Sequence, residues 1–357
     1  MSGLPATKQL SRAAGVLALA GYATACGARS WLPSDPRWED GGTCVGTDVP
    51  IVPNVPNLYF VLDVSGSMLD NGKWGNVRTA VADLVREIGA NANFGVTVFP
   101  EPGASECTAG IEVMPLRPGD WGGATQAAFI AATALTPNGG TPTAATFHSL
   151  VHKLAALPSL TFVILATDGG PNCDAAIQPC TVDQCTTNID GTNTLQCPPG
   201  GPANCCTGNP EGCLDGDATA QAVSDLRTAG VQTYVMGIPG SAPYAAVLDQ
   251  LATAGGTARP SEPLYYQVDS PDTNALSDAF EQIADAVMKS CTLLLEKNPG
   301  DPNMVNVAVN GTVIPSDGPD GWTLHGQTVT LSGASCGAFE GAASLPVRIS
   351  QGCPTVR

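Results

Sequence analysis

The sequence predicts an α/β fold: a doubly wound, mostly parallel sheet with helices on both faces, followed by a small β module. Three observations predict it. Apolar runs of strand length at 58–62, 94–99, 160–167 and 231–238 alternate with segments whose apolar residues recur at the helical period. The runs "LYFVL" and "LTFVILAT" are almost continuously apolar rather than apolar at every second residue, as in strands buried on both faces. Beyond Cys291 the period changes from 3.6 to 2.

At the N-terminus, Lys8 and Arg12 precede the short apolar stretch "AAGVLALAGYA" (13–23). That is the pattern of an export signal over 1–25, too short to span a bilayer. Ala23 and Ala25 fit a small-residue cleavage site before Cys26, and "ATAC" resembles a bacterial lipoprotein box in which Cys26 carries the lipid; Ala23 replaces the usual Leu. Residues 26–56 carry Pro33, Pro36, Pro50, Pro53 and Pro56, which reads as a stiff extended tether.

The α/β domain is expected over 57–290. After strand 58–62, Val77, Val81, Leu84, Val85 and Ile88 share one helical face. Strands at 94–99 and 111–116 precede helices at 124–135 and 143–156, the second entered through "GGTP". Strand 160–167 is followed by an insertion, 173–213, with seven cysteines. Helix 217–229, strand 231–238, helix 244–254, a short strand near 264–268 and helix 274–288 complete the alternation. In the module 291–357, Asn310-Gly311 between alternating apolar residues signals a hairpin, and 323–331 and 345–350 read as further strands. A module this small has little core of its own, so Cys291, Cys336 and Cys353 are expected to staple it.

A net charge of −17 excludes nucleic acid as a partner, because phosphate binding needs a basic face. Thirteen cysteines point to an oxidising compartment, and an even number remains to pair if Cys26 carries lipid. The insertion's odd count requires one cysteine to pair elsewhere or stay free, and Cys107 is the candidate partner. The cluster lacks a C-x-x-C pair, which favours disulfides over zinc.

Loops at the carboxyl ends of strands in such a sheet gather on the edge where ligands bind. Asp63, Ser65 and Ser67 follow the first strand, Thr141 opens a helix, and Asp168 follows strand 160–167. Two carboxylates and three hydroxyls are hard oxygen donors that suit Mg²⁺ or Mn²⁺. Each motif also has a plain reading: D-x-S-x-S as turn chemistry, Thr141 before Pro142 as a helix cap, Asp168-Gly169 as a turn.

In their order, "DVSGS", the Thr of "GGTP" and the Asp of "TDGGP" resemble the metal-ion-dependent adhesion site (MIDAS) of the von Willebrand factor A family. The resemblance spans about 57–288. It implies that Ser65, Ser67 and Thr141 ligate a divalent ion through their hydroxyls, and that Asp63 and Asp168 hold it directly or through water. A carboxylate of the partner would take the sixth position. Neutral hydroxyls leave the cation under-compensated, so an incoming Asp or Glu gains a direct electrostatic bond. The resemblance also implies that helix 274–288 can shift when ligand binds.

The expected function is therefore a non-enzymatic, exported or lipid-anchored adhesion protein for a protein or glycan ligand presenting a carboxylate. A scaffold for surface or secretion machinery, whose metal only stabilises the fold, is the alternative. Hydrolase readings fit poorly: Ser149 stands where H-E-x-x-H needs Glu between His148 and His152, and no G-x-S-x-G is present.

Overall fold

The computed structural model describes residues 46–50, 55–157, 159–173, 180–191, 197–270, 272–288, 291–340 and 347–357. The export signal, Cys26 and most of the segment read as a tether lie outside these residues, as do 174–179 and 192–196 of the insertion.

In chain order the strands are β1 (Thr47–Asp48), β2 (Asn57–Asp63), β3 (Asn93–Phe99), β4 (Ile111–Pro118), β5 (Thr161–Thr167), β6 (Gln232–Gly237) and β7 (Tyr266–Gln267). Towards the C-terminus come β8 (Thr292–Leu294), β9 (Val305–Val309), β10 (Thr312–Ile314), β11 (Trp322–His325), β12 (Thr328–Leu331) and β13 (Val347–Gln351). The helices are α1 (Lys73–Ile88), α2 (Ala124–Ala132), α3 (Thr143–Ala155), α4 (Thr186–Asp190), α5 (Gly216–Thr228), α6 (Ala245–Gly255), α7 (Thr273–Met288) and α8 (Gly333–Glu340).

The main sheet has six strands in the order β4-β3-β2-β5-β6-β7. All neighbours are parallel except β3 and β4. The connection between β3 and β4 is too short for a crossover, so that strand returns antiparallel.

Alternate residues of β2 serve opposite helical layers. Leu58, Phe60 and Leu62 join a core with α1, α2 and α7, whereas Tyr59 and Val61 join one with α3, α5 and α6. This two-sided burial is why the strand is apolar at every position. The Phe60 ring meets Phe129 of α2 and Phe280 of α7 edge-on, with centroids 6.5 and 6.1 Å away.

Beyond the main sheet, β1-β13-β9-β10 and β11-β12-β8 form two small antiparallel sheets around a third core that includes Val305, Val307, Trp322, Val329 and Ile349. The Asn310-Gly311 hairpin is present, both residues left-handed with φ of 52° and 79°. Cys291 pairs with Cys336, and Cys353 is also disulfide-bonded. Helix α8 was not anticipated from its small residues; it is entered through a distant acceptor, Asp320 Oδ1, which takes the Ala334 N–H at 2.7 Å.

One reading needs correction. The last part of the segment read as a tether is packed: Thr47 and Asp48 pair with Gln351 and Ser350, and Val49 is buried. The edge of β13 has backbone groups to satisfy, and this segment satisfies them, with Val49 N donating to Ile349 O at 2.8 Å.

Because Phe60 links two helices to the sheet, Phe60→Ala is expected to lower unfolding free energy by about 3–5 kcal/mol in denaturant titration under non-reducing conditions. A loss below about 1 kcal/mol would show that the layers do not converge on that ring.

Candidate metal centre

Parallel pairing of β2 with β5 places Leu62 opposite Ala166, so both strands finish at the same edge. Asp63, the last residue of β2, is fully buried there. Its Oδ1 accepts from Ser65 N at 2.7 Å and its Oδ2 from Thr167 Oγ1 at 2.5 Å. The Ser65 and Ser67 hydroxyls are 3.1 Å apart, and Ser67 Oγ donates to Asp168 Oδ1 at 2.8 Å. Lys73, at the start of α1, donates to Asp168 Oδ2 at 2.7 Å. Four of the five expected ligands thus share one network that runs from the buried strand end to the exposed Ser67.

The fifth, Thr141, is buried on a loop locked against the first turn. Asn138 N donates to Val64 O at 2.8 Å, and Gly66 N donates to Gly139 O at 3.0 Å. Pro142 occupies the capping position of α3, so Thr141 stands one residue before the cap rather than in it. Asn172 clamps Thr141 from the other side: its Oδ1 accepts from Thr141 N at 2.8 Å, and its N donates to Thr141 O at 3.0 Å. The glycine pair is required here. Gly139 is left-handed with φ of 93°, and a Cβ on Gly140 would stand 2.8 Å from Cys173 Sγ. That sulfur bonds Cys107, so the odd cysteine of the insertion pairs outside it, with the expected candidate.

Burial, then the charge of Asp168, raises the Asp63 carboxyl to about 7, against the opposing pull of its hydrogen bonds from Ser65 and Thr167. Two buried carboxylates and one ammonium leave an unbalanced negative charge when both acids are ionised. A hard divalent cation fits that deficit and the oxygen-only donor set.

The insertion is a closed excursion. At its base, Cys173 N donates to Glu211 O and Asp215 N to Pro171 O, both at 2.7 Å. Disulfides Cys180–Cys213, Cys185–Cys206 and Cys197–Cys205 tie its interior. The sulfurs of Cys180, Cys206 and Cys213 lie close together, but each is in a disulfide and offers no thiolate to a metal. Asp190, at the end of α4, accepts from Tyr244 Oη at 2.6 Å. Desolvation raises its carboxyl, the Tyr244 hydrogen bond opposes the rise, and the charge of Asp168 adds to it. The insertion therefore brings a third acid to the edge that holds Asp63 and Asp168.

Sequence reading missed Lys73, Thr167, Asn172 and Asp190. His148 and His152 are exposed on α3.

No protein-family model matches the chain, and no curated protein matches it. Solved structures similar to it include the pilus adhesin SpaC from Lactobacillus rhamnosus GG, at 18% identity and TM-score 0.46, covering 85% of this chain and 40% of that one. A von Willebrand factor type A structure from Catenulispora acidiphila gives 18% and 0.45, covering 85% and 58%. The von Willebrand factor domain of the type V pili tip protein Mfa5 from Porphyromonas gingivalis gives 12% and 0.44, covering 68% and 96%. The chain spans less than half the length of SpaC. Likeness at this level carries nothing about ligand or activity.

Removing the Asn172 side chain leaves Thr141 N–H without its acceptor. Asn172→Ala is expected to cost about 1–3 kcal/mol by denaturant titration. Unchanged stability would mean that solvent replaces the clamp.

Proposed function

We propose that the chain is an exported, non-enzymatic binding or adhesion protein that grips an acidic protein or glycan through Mg²⁺ or Mn²⁺ at the carboxyl edge of its main sheet. The observation that carries this reading is the hydrogen-bonded cluster of Asp63, Ser65, Ser67 and Asp168, oxygen donors throughout, with more buried negative charge than its one ammonium balances. Ser65, Ser67 and Thr141 would present hydroxyls to the ion, and Asp63 and Asp168 would hold it directly or through water. When bound, the ion supplies an electrophilic position for a partner's carboxylate. Leu69, 56% exposed beside Met68 and the serine turn, offers apolar contact at the rim. The disulfide-tied insertion forms one side of the same edge.

The disulfides support an oxidising compartment. Cys26 as a lipid carrier belongs to this proposal. Cys26→Ser is expected to move the protein from the detergent phase to the aqueous phase in phase-separation assays of cells expressing it. Detergent-phase recovery of the variant would place membrane attachment elsewhere.

Thermal unfolding with Mn²⁺, Mg²⁺ or EDTA, paired with binding to immobilised acidic peptides and glycans, tests the metal reading. Ion binding to the native state adds about 2.7 kcal/mol at a hundredfold excess over Kd. That increment and the binding signal are expected to vanish in Asp63→Ala and Thr141→Ala. Ligand binding that survives EDTA while stability falls would favour the scaffold reading instead.

A further inference from the structure

Lys73 is placed at three separate costs. Its side chain is only 9% exposed, although lysine is among the residues least often buried. It stands in the first turn of α1, where a cation opposes the helix dipole. It is also roofed by a glycine: Gly240 has φ of 118°, and a Cβ there would come within 3.1 Å of Lys73 Nζ and 3.0 Å of Asp168 O. The chain reaches this position through two left-handed residues, Asn71 and Gly72, with φ of 53° and 69°.

What the ammonium gains is Asp168. It donates to Oδ2 at 2.7 Å and to the main-chain O of Ser67 at 3.4 Å. The other oxygen of the same carboxylate, Oδ1, faces the Ser67 hydroxyl at 2.8 Å. One carboxylate is thereby divided between a fixed cation and the expected ligand set.

We infer that Lys73 is a tethered cation built into the candidate metal centre, holding Asp168 and the serine turn in place and opposing the entry of a divalent ion. The inference rests on the metal reading above. Without an ion, Lys73 keeps the acid pair partly neutralised and the turn attached to β5. An ion that takes Asp168 Oδ1 shares its carboxylate with a positive charge in a shielded site, so the ammonium weakens that ion's hold. Lys73 is a positioning residue for the cluster and sets how tightly the ion binds.

The test compares the mature wild type with Lys73→Met, Lys73→Gln and Lys73→Arg, using calorimetric titration with Mn²⁺ and thermal unfolding in EDTA. Lys73→Met is expected to bind Mn²⁺ at least about tenfold more tightly and to unfold at a lower temperature in EDTA. Lys73→Arg, which keeps the charge, is expected to remain within about threefold of wild-type affinity. Should the Met variant fail to fold, Lys73→Gln, which keeps a donor without the charge, is judged by the same affinity criterion. A folded neutral variant with equal or weaker Mn²⁺ affinity overturns the inference and leaves the metal site standing. No Mn²⁺ binding by the wild type or by any variant overturns both.

Discussion

Asp63 and Asp168 meet at the ends of neighbouring parallel strands, between two helical layers that exclude water. Burial and the neighbouring charge of Asp168 disfavour the charged form of Asp63. The surrounding structure is arranged to relieve this. Ser65 N and Thr167 Oγ1 donate to Asp63, Ser67 Oγ and Lys73 donate to Asp168, and with both acids ionised the single ammonium leaves net negative charge in the cluster.

The loops that supply these donors hold one another. The turn after β2 bonds to 138–139, Asn172 clamps Thr141, and Cys107–Cys173 fixes the segment that carries Asn172. Each of these contacts joins residues far apart in the chain. The site is therefore rigid because the domain is folded, rather than because any one loop has a strong local preference. The insertion leaves and re-enters through paired backbone at Pro171–Asp215, so it does not disturb the passage from β5 to α5.

The succession of main-sheet strands along the chain, and the oxygen-bearing residues Asp63, Ser65, Ser67 and Asp168 gathered at one sheet edge, were legible because they are local patterns: continuous apolar runs, and polar side chains immediately after them. The odd cysteine of the insertion was legible for a different reason, since parity is a count that does not depend on distance, and the position of Cys107 in the loop after the second strand supplied its partner. Lys73 was not legible. Four residues before Val77, where the apolar face of its helix begins, a lysine reads as a solvated charge, and the acid that buries it lies 95 residues away. Asn172 reads as one more turn residue until Thr141 is placed against it, and Asp190 has no signal outside the fold of the insertion. The strand at 47–48 was hidden by neighbouring prolines and by a partner about 300 residues downstream.

That short strand has a mechanical consequence. Val49 bonds to Ile349, Glu296 N bonds to Pro50 O, and Asp48 pairs with Arg348, all before the chain reaches β2. A pull transmitted from the N-terminal side would load these contacts with the C-terminal strands before it loaded β2. The strand that ends in Asp63 would be spared until that clasp gives way. A chain pulled from that side would thus carry the force through its terminal sheets and keep the geometry of the edge that holds Asp63.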